Sequence, residues 1–333
     1  MKKCDSGEKG GQGNLRTEEM QRCAEEHLAA GRYGEAITLY RELAALHPGE
    51  DSFVLKLAWA YHDSGCLEEA VACFEDILER ELRQKIFTGF AFDELVRIFK
   101  RDGRYDRLAA ICERAVAAQP EDYALLGDLG EAYLKTGETE RAAGVFRRMT
   151  EMEPEDAMAF CRLGNALAAA GDCDGAEASY RRAAQIEPLS AAAYYGRLAV
   201  VFGEGGHLER AVRMAALCLQ ENPVEPAYHL LSGDLLIARG EVAAAQAAYE
   251  RAAALRPECA APYANRLGNA LAGAGRHEEA AAAFRRAASL DPQNPFYLLY
   301  LADAYRALGR MEEARQALSK VESLSNSNHK QGL

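Results

Sequence analysis

The sequence lacks the features that mark membrane-spanning and secreted proteins. No apolar run approaches the ~18–20 residues that cross a bilayer, and the opening residues, MKKCDSGEKGGQGN, contain no apolar segment typical of a signal peptide. Cysteine is present nine times, an odd count, and never as a CxxC pair. Neither a disulfide framework nor a zinc ribbon is therefore expected. These observations favour a reducing cytoplasm and exclude membrane insertion.

The residue patterns of metal and catalytic sites are also missing. The seven histidines show no HxxxH or HExxH spacing, so we expect no metal site. No Ser/His/Asp or paired-carboxylate constellation stands out, and no nucleotide-binding glycine motif follows a strand-like segment. We accordingly expect no catalytic residue, no cofactor and no enzymatic activity.

Basic charge is scarce in the front half of the chain. The net charge is −12, and residues 17–156 hold 30 acidic and 17 basic side chains, whereas residues 157–333 hold 19 and 18. An acidic surface repels phosphate backbones, so we do not expect a nucleic-acid partner. The nearly balanced rear half could accept a partner of different charge.

Glycine, by contrast, recurs at an almost constant interval. Gaps of 34, 38, 34, 34, 35, 34, 35 and 34 residues separate nine glycines. Apolar residues follow a helical period on both sides of each glycine, which predicts two amphipathic helices joined by a tight turn. We call these the turn glycines: Gly31, Gly65, Gly103, Gly137, Gly171, Gly206, Gly240, Gly275 and Gly309.

Other residues keep fixed distances from the turn glycines. A proline follows seventeen residues later in seven repeats, an alanine five residues later in eight, and a small residue precedes by seven in eight. Proline ends a helix, and small residues allow two helices to approach closely. The near-identical segments RLGNALAAAG (162–171) and RLGNALAGAG (266–275) are then equivalent first helices that repeat because they pack alike. Cys23, Cys112 and Cys218 stand where other repeats have Leu, an aromatic residue and Ala, so we expect them to be buried.

This order of small residue, aromatic, glycine, alanine, aromatic and proline resembles the tetratricopeptide repeat. One instance is the segment LGEAY, whose small residue is Gly130, followed by Ala142, Phe146 and Pro154. The resemblance implies an all-α fold, a right-handed superhelical solenoid of antiparallel helix pairs, between tails at residues 1–16, expected to be disordered, and 329–333. The nine repeats predicted within residues 17–328 are 17–50, 51–84, 89–122, 123–156, 157–190, 192–225, 226–259, 261–294 and 295–328.

Two repeats depart from the pattern. Repeat three has Val96 and Leu108 at its small and alanine positions, and four extra residues, KIFT (85–88), precede it. We expect a wider hairpin there and a bend of the superhelix near residues 80–100. The ninth repeat has Asn326 in place of proline, and its last apolar stripe either packs on its own repeat or docks another chain.

The resemblance further implies that the first helix of each pair lines a concave groove. Three arginines of these helices, Arg162, Arg197 and Arg266, have no acidic residue three or four positions away. They are either solvated, paired with Asp234 of a neighbouring repeat, or available to an acidic peptide. The lysine and asparagine clamp of chaperone-tail binders and the asparagine ladder of glycosyltransferase-associated arrays are both missing. The predicted partner-binding residues are Trp59, Phe90, Arg97, Lys100, Arg101, Arg162, Asn165, Arg197, Arg266, Asn269 and Tyr300.

The function predicted from these observations is binding without catalysis. The chain is expected to act as a scaffold or adaptor that holds a protein or peptide partner in its groove, acidic where it meets the rear half. Two alternatives remain open: a scaffold that self-assembles into homo-oligomers through the ends of the array, and a regulatory subunit of a separately encoded enzyme.

Overall fold

The chain folds as tandem antiparallel helix pairs. A computed structural model describes the backbone of residues 8–331 and the side chains of residues 15–324, and within that part every regular element is helical. Short 3-10 turns at Pro188–Ser190 and Pro257–Cys259 precede two of the helices. The α-helices are α1 Glu8–Ala29, α2 Tyr33–Leu46, α3 Asp51–Asp63, α4 Leu67–Gln84, α5 Phe90–Arg101, α6 Tyr105–Ala118, α7 Tyr123–Thr136, α8 Thr139–Met152, α9 Ala157–Ala169, α10 Cys173–Ile186, α11 Ala191–Glu204, α12 Leu208–Glu221, α13 Pro226–Ala238, α14 Val242–Leu255, α15 Ala260–Gly273, α16 His277–Leu290, α17 Pro295–Ala307 and α18 Met311–Gln331.

The turn glycines and the prolines set the ends of these helices as predicted. All nine turn glycines adopt a positive φ, between 68° at Gly103 and 87° at Gly240, a conformation that a side chain would strain. Each second helix that is followed by a proline ends two residues before it, as α10 ends at Ile186 before Pro188. The two second helices without that proline, α4 and α18, run on for 18 and 21 residues instead of 14.

Polar caps fix where several first helices begin. The side chain of Asp122 accepts hydrogen bonds from the backbone N–H groups of Ala124 and Leu125 at the start of α7. Asp156 does the same for α9, and Asn294 accepts from the N–H of Phe296 in α17. Each cap satisfies a backbone donor that the helix itself leaves unpaired and contributes about 1 kcal/mol.

The chain divides into two compact units, Met1–Val145, here called the front unit, and Phe146–Leu333, the rear unit. In the rear unit, buried rings on the second helices pack over small residues of the first helices. A Cβ added at Gly268 would lie 2.5 Å from the Phe284 ring, and one added at Gly164 would lie 2.6 Å from the Tyr180 ring. The small residue seven positions before the turn glycine therefore makes room for a ring sixteen residues later.

Neighbouring repeats are also joined by a recurring side-chain hydrogen bond. In the front unit Arg41 donates to the hydroxyl of Tyr61, and in the rear unit Arg285 donates to Tyr305 over 2.9 Å. At the same position of a further pair the direction reverses, because the hydroxyl of Tyr133 donates to Glu113 over 2.8 Å. Each such bond contributes about 1 kcal/mol to the contact between repeats.

Repeat three differs from the others in the loop that precedes its first helix, where the sequence has four extra residues. Helix α4 continues to Gln84, and the chain then turns through Lys85, which has a φ of 57°, and Gly89, with a φ of 82°, before α5 begins. The carboxylate of Glu81 is buried and accepts a hydrogen bond from Thr88 across this turn. Part of the KIFT insertion thus forms a capped loop, while the bend of the superhelix stays a prediction.

The helices at the two termini are longer than the sequence indicated. Residues 8–16, predicted to lie in a disordered tail, belong to α1, and α18 continues to residue 331, past the predicted end of the ninth repeat at 328. Residues 1–7 and 332–333 of the predicted tails lie outside the described residues. On α18, Ala317 is buried and Leu318 half-buried, so this stripe packs on the protein's own helices.

Of the eight cysteines within residues 15–324, four are buried, two are half-buried, and Cys23 and Cys66 are exposed. Cys112 and Cys218 are buried, as their positions in the repeat predicted, and burial raises the pKa of both thiols. Cys23 was expected to be buried as well, and this prediction was wrong, because the residue is exposed. Its equivalents Leu57 and Leu163 are buried.

Candidate functional site

The first helices present three recurring positions on one face, 13, 9 and 6 residues before the turn glycine. Helical geometry places residues spaced by four, three and seven along the same side. We call this the first-helix face and write its positions as −13, −9 and −6. In the rear unit, position −9 holds Arg162, Arg197, Leu231, Arg266 and Tyr300, and position −6 holds Asn165, Val200, Asp234, Asn269 and Asp303.

In the front unit, the cations of this face are engaged by carboxylates of the same unit. Lys56 at position −9 donates to Glu25 of the preceding repeat over 2.5 Å, and this hydrogen bond lowers the pKa of Glu25. Arg97 donates to Glu94 from both Nε and Nη2, over 2.9 and 2.5 Å. Arg101, predicted to bind a partner, instead pairs with Asp102 over 2.9 Å.

Lys100 is held most firmly of the predicted front-unit residues. Its ammonium group lies 2.9 Å from Asp128 and 2.7 Å from Glu131 on the next first helix. Burial opposes the charged form, but the hydrogen bonds to Glu131 and Asp128 outweigh it, so the pKa of Lys100 is raised. This lysine joins two repeats.

The two predicted aromatic residues of the front unit differ in how they are covered. Trp59 is half-buried and meets the Phe74 ring edge-on, with 5.7 Å between centroids. The guanidinium of Arg97 lies 6.0 Å from its centroid on the exposed side. Phe90 at position −13 is 45% exposed and could contact a bound chain.

In the rear unit, the three predicted arginines are not equivalent. Arg266 donates to Asp234 of the preceding repeat over 2.5 Å, the pairing that the sequence left open. Arg162 and Arg197 are both exposed and make no ion pair within residues 15–324. The nearest polar contact of Arg197 is the Met158 sulfur, a weak acceptor 3.8 Å from Nη1.

The difference between Arg197 and Arg266 arises at position −6 of the repeat before each. Asp234 accepts a hydrogen bond from the Tyr249 hydroxyl at Oδ1 and another from the Arg266 guanidinium at Oδ2. Asn165 stands at the equivalent position, and its Oδ1 accepts a hydrogen bond from the Tyr180 hydroxyl over 2.6 Å. Its other polar atom is an amide nitrogen, which donates and therefore offers Arg197 no acceptor.

The remaining predicted residues lie at the end of the array. Tyr300 is 41% exposed and stacks on Phe284, with 5.5 Å between ring centroids. Asn269 is exposed at position −6, and the residue fifteen positions later is Phe284, so no tyrosine hydroxyl there can donate a hydrogen bond to it. Both side chains face solvent on the first-helix face of the rear unit.

Three exposed apolar residues on this face were missed by the sequence analysis. Met158 and Phe296 occupy position −13, the same position as the predicted Phe90, and are 42% and 61% exposed. Val200 at position −6 is 41% exposed. The period of the glycines carried this signal, because aligning the repeats on the turn glycine places all three beside residues that were predicted.

Within residues 15–324, no three His, Cys, Asp or Glu side chains come together as a metal site would require. None of the described helices combines the length and the apolar character of a transmembrane span.

The comparisons with known proteins agree with the geometry of the helix pairs. Sequence models of the tetratricopeptide repeat match residues 27–84, 101–160 and 271–324, and a second such model matches residues 230–295. The chain belongs to the tetratricopeptide repeat family, whose arrays are protein-interaction scaffolds.

One curated relative is the TPR repeat-containing thioredoxin TTL4 of Arabidopsis thaliana, which is 35% identical over 114 residues. The match covers 34% of this chain and only 16% of the relative. The similarity is therefore confined to a small part of that protein.

Solved structures with a similar fold include MamA, YrrB and the Cut9-Hcn1 complex. MamA is 21% identical over 54% of this chain and 97% of its own, with a TM-score of 0.38. YrrB, described as a TPR protein with an unusual peptide-binding site, is 22% identical over 57% and 100%, with a TM-score of 0.37. The APC/C hetero-tetramer Cut9-Hcn1 is 14% identical over 94% and 74%, with a TM-score of 0.39. At these values the likenesses say nothing about what this chain binds.

Proposed function

We propose that this protein is a non-catalytic scaffold that binds a protein or peptide partner along the first-helix face of its rear unit. The partner is acidic where it meets this face. The observation that carries the proposal is the pair of exposed arginines, Arg162 and Arg197, which occupy position −9 of consecutive repeats without a carboxylate partner among the described residues. Guanidinium groups bind carboxylates through paired, charge-assisted hydrogen bonds.

Apolar surface beside the arginines supports contact with a chain rather than with a free ion. Met158 lies against the Arg197 guanidinium, and Val200 is exposed one helical turn after that arginine. A peptide that places an acidic side chain on the guanidinium could bury its neighbouring side chains on this surface. Helix-borne side chains are held in place before binding, which lowers the entropic cost of association.

The compartment proposed for this activity is the cytoplasm. The eight cysteines within the described residues are all free, and Cys73, Cys112 and Cys161 have thiol pKa values raised chiefly by burial. Such thiols are weak nucleophiles and fit a structural role in a reducing environment.

Capture of partners from a lysate of the native host, read by mass spectrometry, tests the proposal. The test variant carries Arg162→Glu and Arg197→Glu. The matched control carries Arg213→Glu and Arg251→Glu, because these arginines are also exposed and make no ion pair within residues 15–324, but lie on the second helices α12 and α14. Both variants change the net charge equally.

A partner retained by the wild type and the control but lost from the test variant is the expected result. If every partner persists with the test variant, which circular dichroism shows to be helical, the first-helix face of the rear unit is not the binding surface. Loss from both variants would point to nonspecific attraction by net charge and would likewise contradict the proposal.

A further inference from the structure

We infer that Asn165 is a specificity-determining residue, which keeps Arg197 available to a carboxylate of the bound partner. The inference rests on the proposed function and narrows it to one contact. Its basis is the comparison of two equivalent positions in the rear unit, Asn165 before Arg197 and Asp234 before Arg266. Each polar residue stands six positions before its turn glycine, and each arginine follows it by 32 residues.

The two positions share the same anchor. A tyrosine on the second helix of the same repeat donates its hydroxyl to Oδ1 of the polar residue, Tyr180 to Asn165 and Tyr249 to Asp234. Burial raises the pKa of both tyrosines, so each hydroxyl stays protonated and keeps donating at neutral pH. The orientation of the polar side chain is therefore the same in the two repeats.

What remains on the polar side chain decides the state of the next arginine. Asp234 has a second carboxylate oxygen, which Arg266 occupies at 2.5 Å. The second polar atom of the Asn165 side chain is an amide nitrogen, which offers an arginine neither a negative charge nor an acceptor. Arg197 consequently forms no ion pair with a carboxylate in the described part of the unit, and its guanidinium contacts the Met158 sulfur.

A third example shows that the rule depends on charge and not on tyrosine. In the front unit Glu25 occupies position −6, and Lys56 at position −9 of the following repeat lies 2.5 Å from it. In these two pairs a carboxylate at position −6 neutralises the cation at position −9 of the following repeat, whereas Asn165 leaves Arg197 without an ion pair. The amide of Asn165 and the guanidinium of Arg197 then form adjacent donors for one carboxylate group.

The ligand chemistry implied at this point is a carboxylate, from an acidic side chain or from a chain terminus. Arg266 is not expected to take part, because a ligand would have to displace Asp234. The contact to the partner is thus placed at repeats five and six, and the third arginine of the predicted row serves the contact between repeats seven and eight.

Peptide binding to the full-length chain tests the inference. The probe is a fluorescein-labelled octaglutamate with an amidated C-terminus, followed by fluorescence anisotropy at low salt. A labelled octaglutamine amide and a labelled octaglutamine with a free C-terminus separate a side-chain carboxylate from a terminal one. Asn165→Asp is expected to weaken binding of the acidic probe about tenfold, since the new oxygen would pair with Arg197 as Asp234 pairs with Arg266.

Three further variants isolate the cause. Asn269→Asp adds the same charge at the same position, but the next repeat carries Tyr300 instead of arginine, so its effect should stay below about twofold. Asp234→Asn should free Arg266 and tighten binding about threefold. A double variant with Asn165→Asp and Arg197→Gln should bind no more weakly than Arg197→Gln alone, because the two changes remove the same contact.

Equal affinity of the wild type and Asn165→Asp would overturn the inference, as would an equal loss in Asn269→Asp. Absence of binding to all three probes by the wild type would overturn the carboxylate contact as well. The proposed function would then be judged separately by the lysate capture, since a partner lost from the Arg162→Glu, Arg197→Glu variant would still place recognition on this face.

Discussion

Repeat three of the front unit and repeat eight of the rear unit solve the same packing problem in opposite ways. Repeat eight places Gly268 under the ring of Phe284, with no room for even a Cβ. Repeat three places Val96 at the equivalent position and Cys112 sixteen residues later, where the other repeat has its ring. The larger residue of the two therefore stands on the second helix in repeat eight and on the first helix in repeat three, the kind of compensating exchange that cores tolerate.

The first-helix faces of the two units differ in a comparable way. In the front unit Lys56, Arg97 and Lys100 are bound by carboxylates of their own unit, so the face is electrically satisfied. In the rear unit Arg162 and Arg197 are not. The same scaffold can therefore present cations that its own carboxylates neutralise or cations that they do not. For Arg266 and Arg197, the residue at position −6 of the preceding repeat makes this difference.

The largest effect on stability is expected from Gly268→Val, which gives repeat eight the valine that repeat three has at the equivalent position. A Cβ there would lie 2.5 Å from the Phe284 ring, so the variant should lose about 3 kcal/mol of unfolding free energy. Urea unfolding followed by circular dichroism measures the loss. Gly273→Val, on the exposed end of the same helix with nothing within 4 Å, should be neutral within about 0.5 kcal/mol.

The exchange of volume can itself be tested by adding Phe284→Cys to Gly268→Val, which reproduces the pair of repeat three. The double variant should be destabilised by about 1–2 kcal/mol less than the sum of the two single variants, because each change fills or vacates the same space. Strict additivity would mean that Val96 and Cys112 do not compensate for each other.

The order of these effects shows what the sequence could and could not predict. The turn glycines, the prolines and the small residues act locally and recur in seven to nine of the repeats, so the helix pairs and their ends followed from the period. The state of Arg266 depended on Asp234, 32 residues earlier, and on whether Tyr249 left it a free oxygen. Such a choice among plausible partners is settled only by side-chain geometry.

The exposed apolar residues teach a related lesson. Phe296 was overlooked although it stands at the same position as Phe90, because its exposure depends on which neighbours cover it and not on its own identity. Cys23 failed for the same reason, since the equivalent Leu57 and Leu163 are buried and Cys23 is exposed. Position in the repeat predicts a side chain's direction, and position in the array decides its burial.

The contrast between the two units predicts an intermediate loss of stability when a paired cation is removed and almost none when an unpaired one is removed. Lys100→Met should cost about 1 kcal/mol of unfolding free energy, because Asp128 and Glu131 would lose the ammonium group that bridges them. Arg197→Met should change stability by less than about 0.3 kcal/mol, since that arginine makes no ion pair within residues 15–324. Equal losses in the two variants, compared by urea unfolding at pH 7, would erase the distinction between the faces.

The smallest expected effect concerns the acidic side of the front-unit face. Burial raises the pKa of Asp93, and the neighbouring Asp128 and Glu94 raise it further. The folded state thus holds this proton more tightly than the unfolded chain does, so ionisation weakens the fold above the folded pKa and has no effect well below the ordinary value of 3.8. Asp93→Asn should raise the unfolding free energy by about 0.3 kcal/mol at pH 7, after allowance for solvent screening, and by nothing near pH 3.

Asp102, in the same repeat, supplies the opposite case. Its hydrogen bond from Arg101 lowers the pKa, so the ionised form strengthens the fold, and this contribution is lost as the pH falls through the folded pKa. Asp102→Asn should therefore weaken the protein at pH 7 and leave it unchanged at low pH, the reverse of Asp93→Asn. Urea midpoints of both variants, measured between pH 3 and pH 7, should move apart as the pH rises, and parallel curves would mean that the crowding of carboxylates around Asp93 does not act on stability.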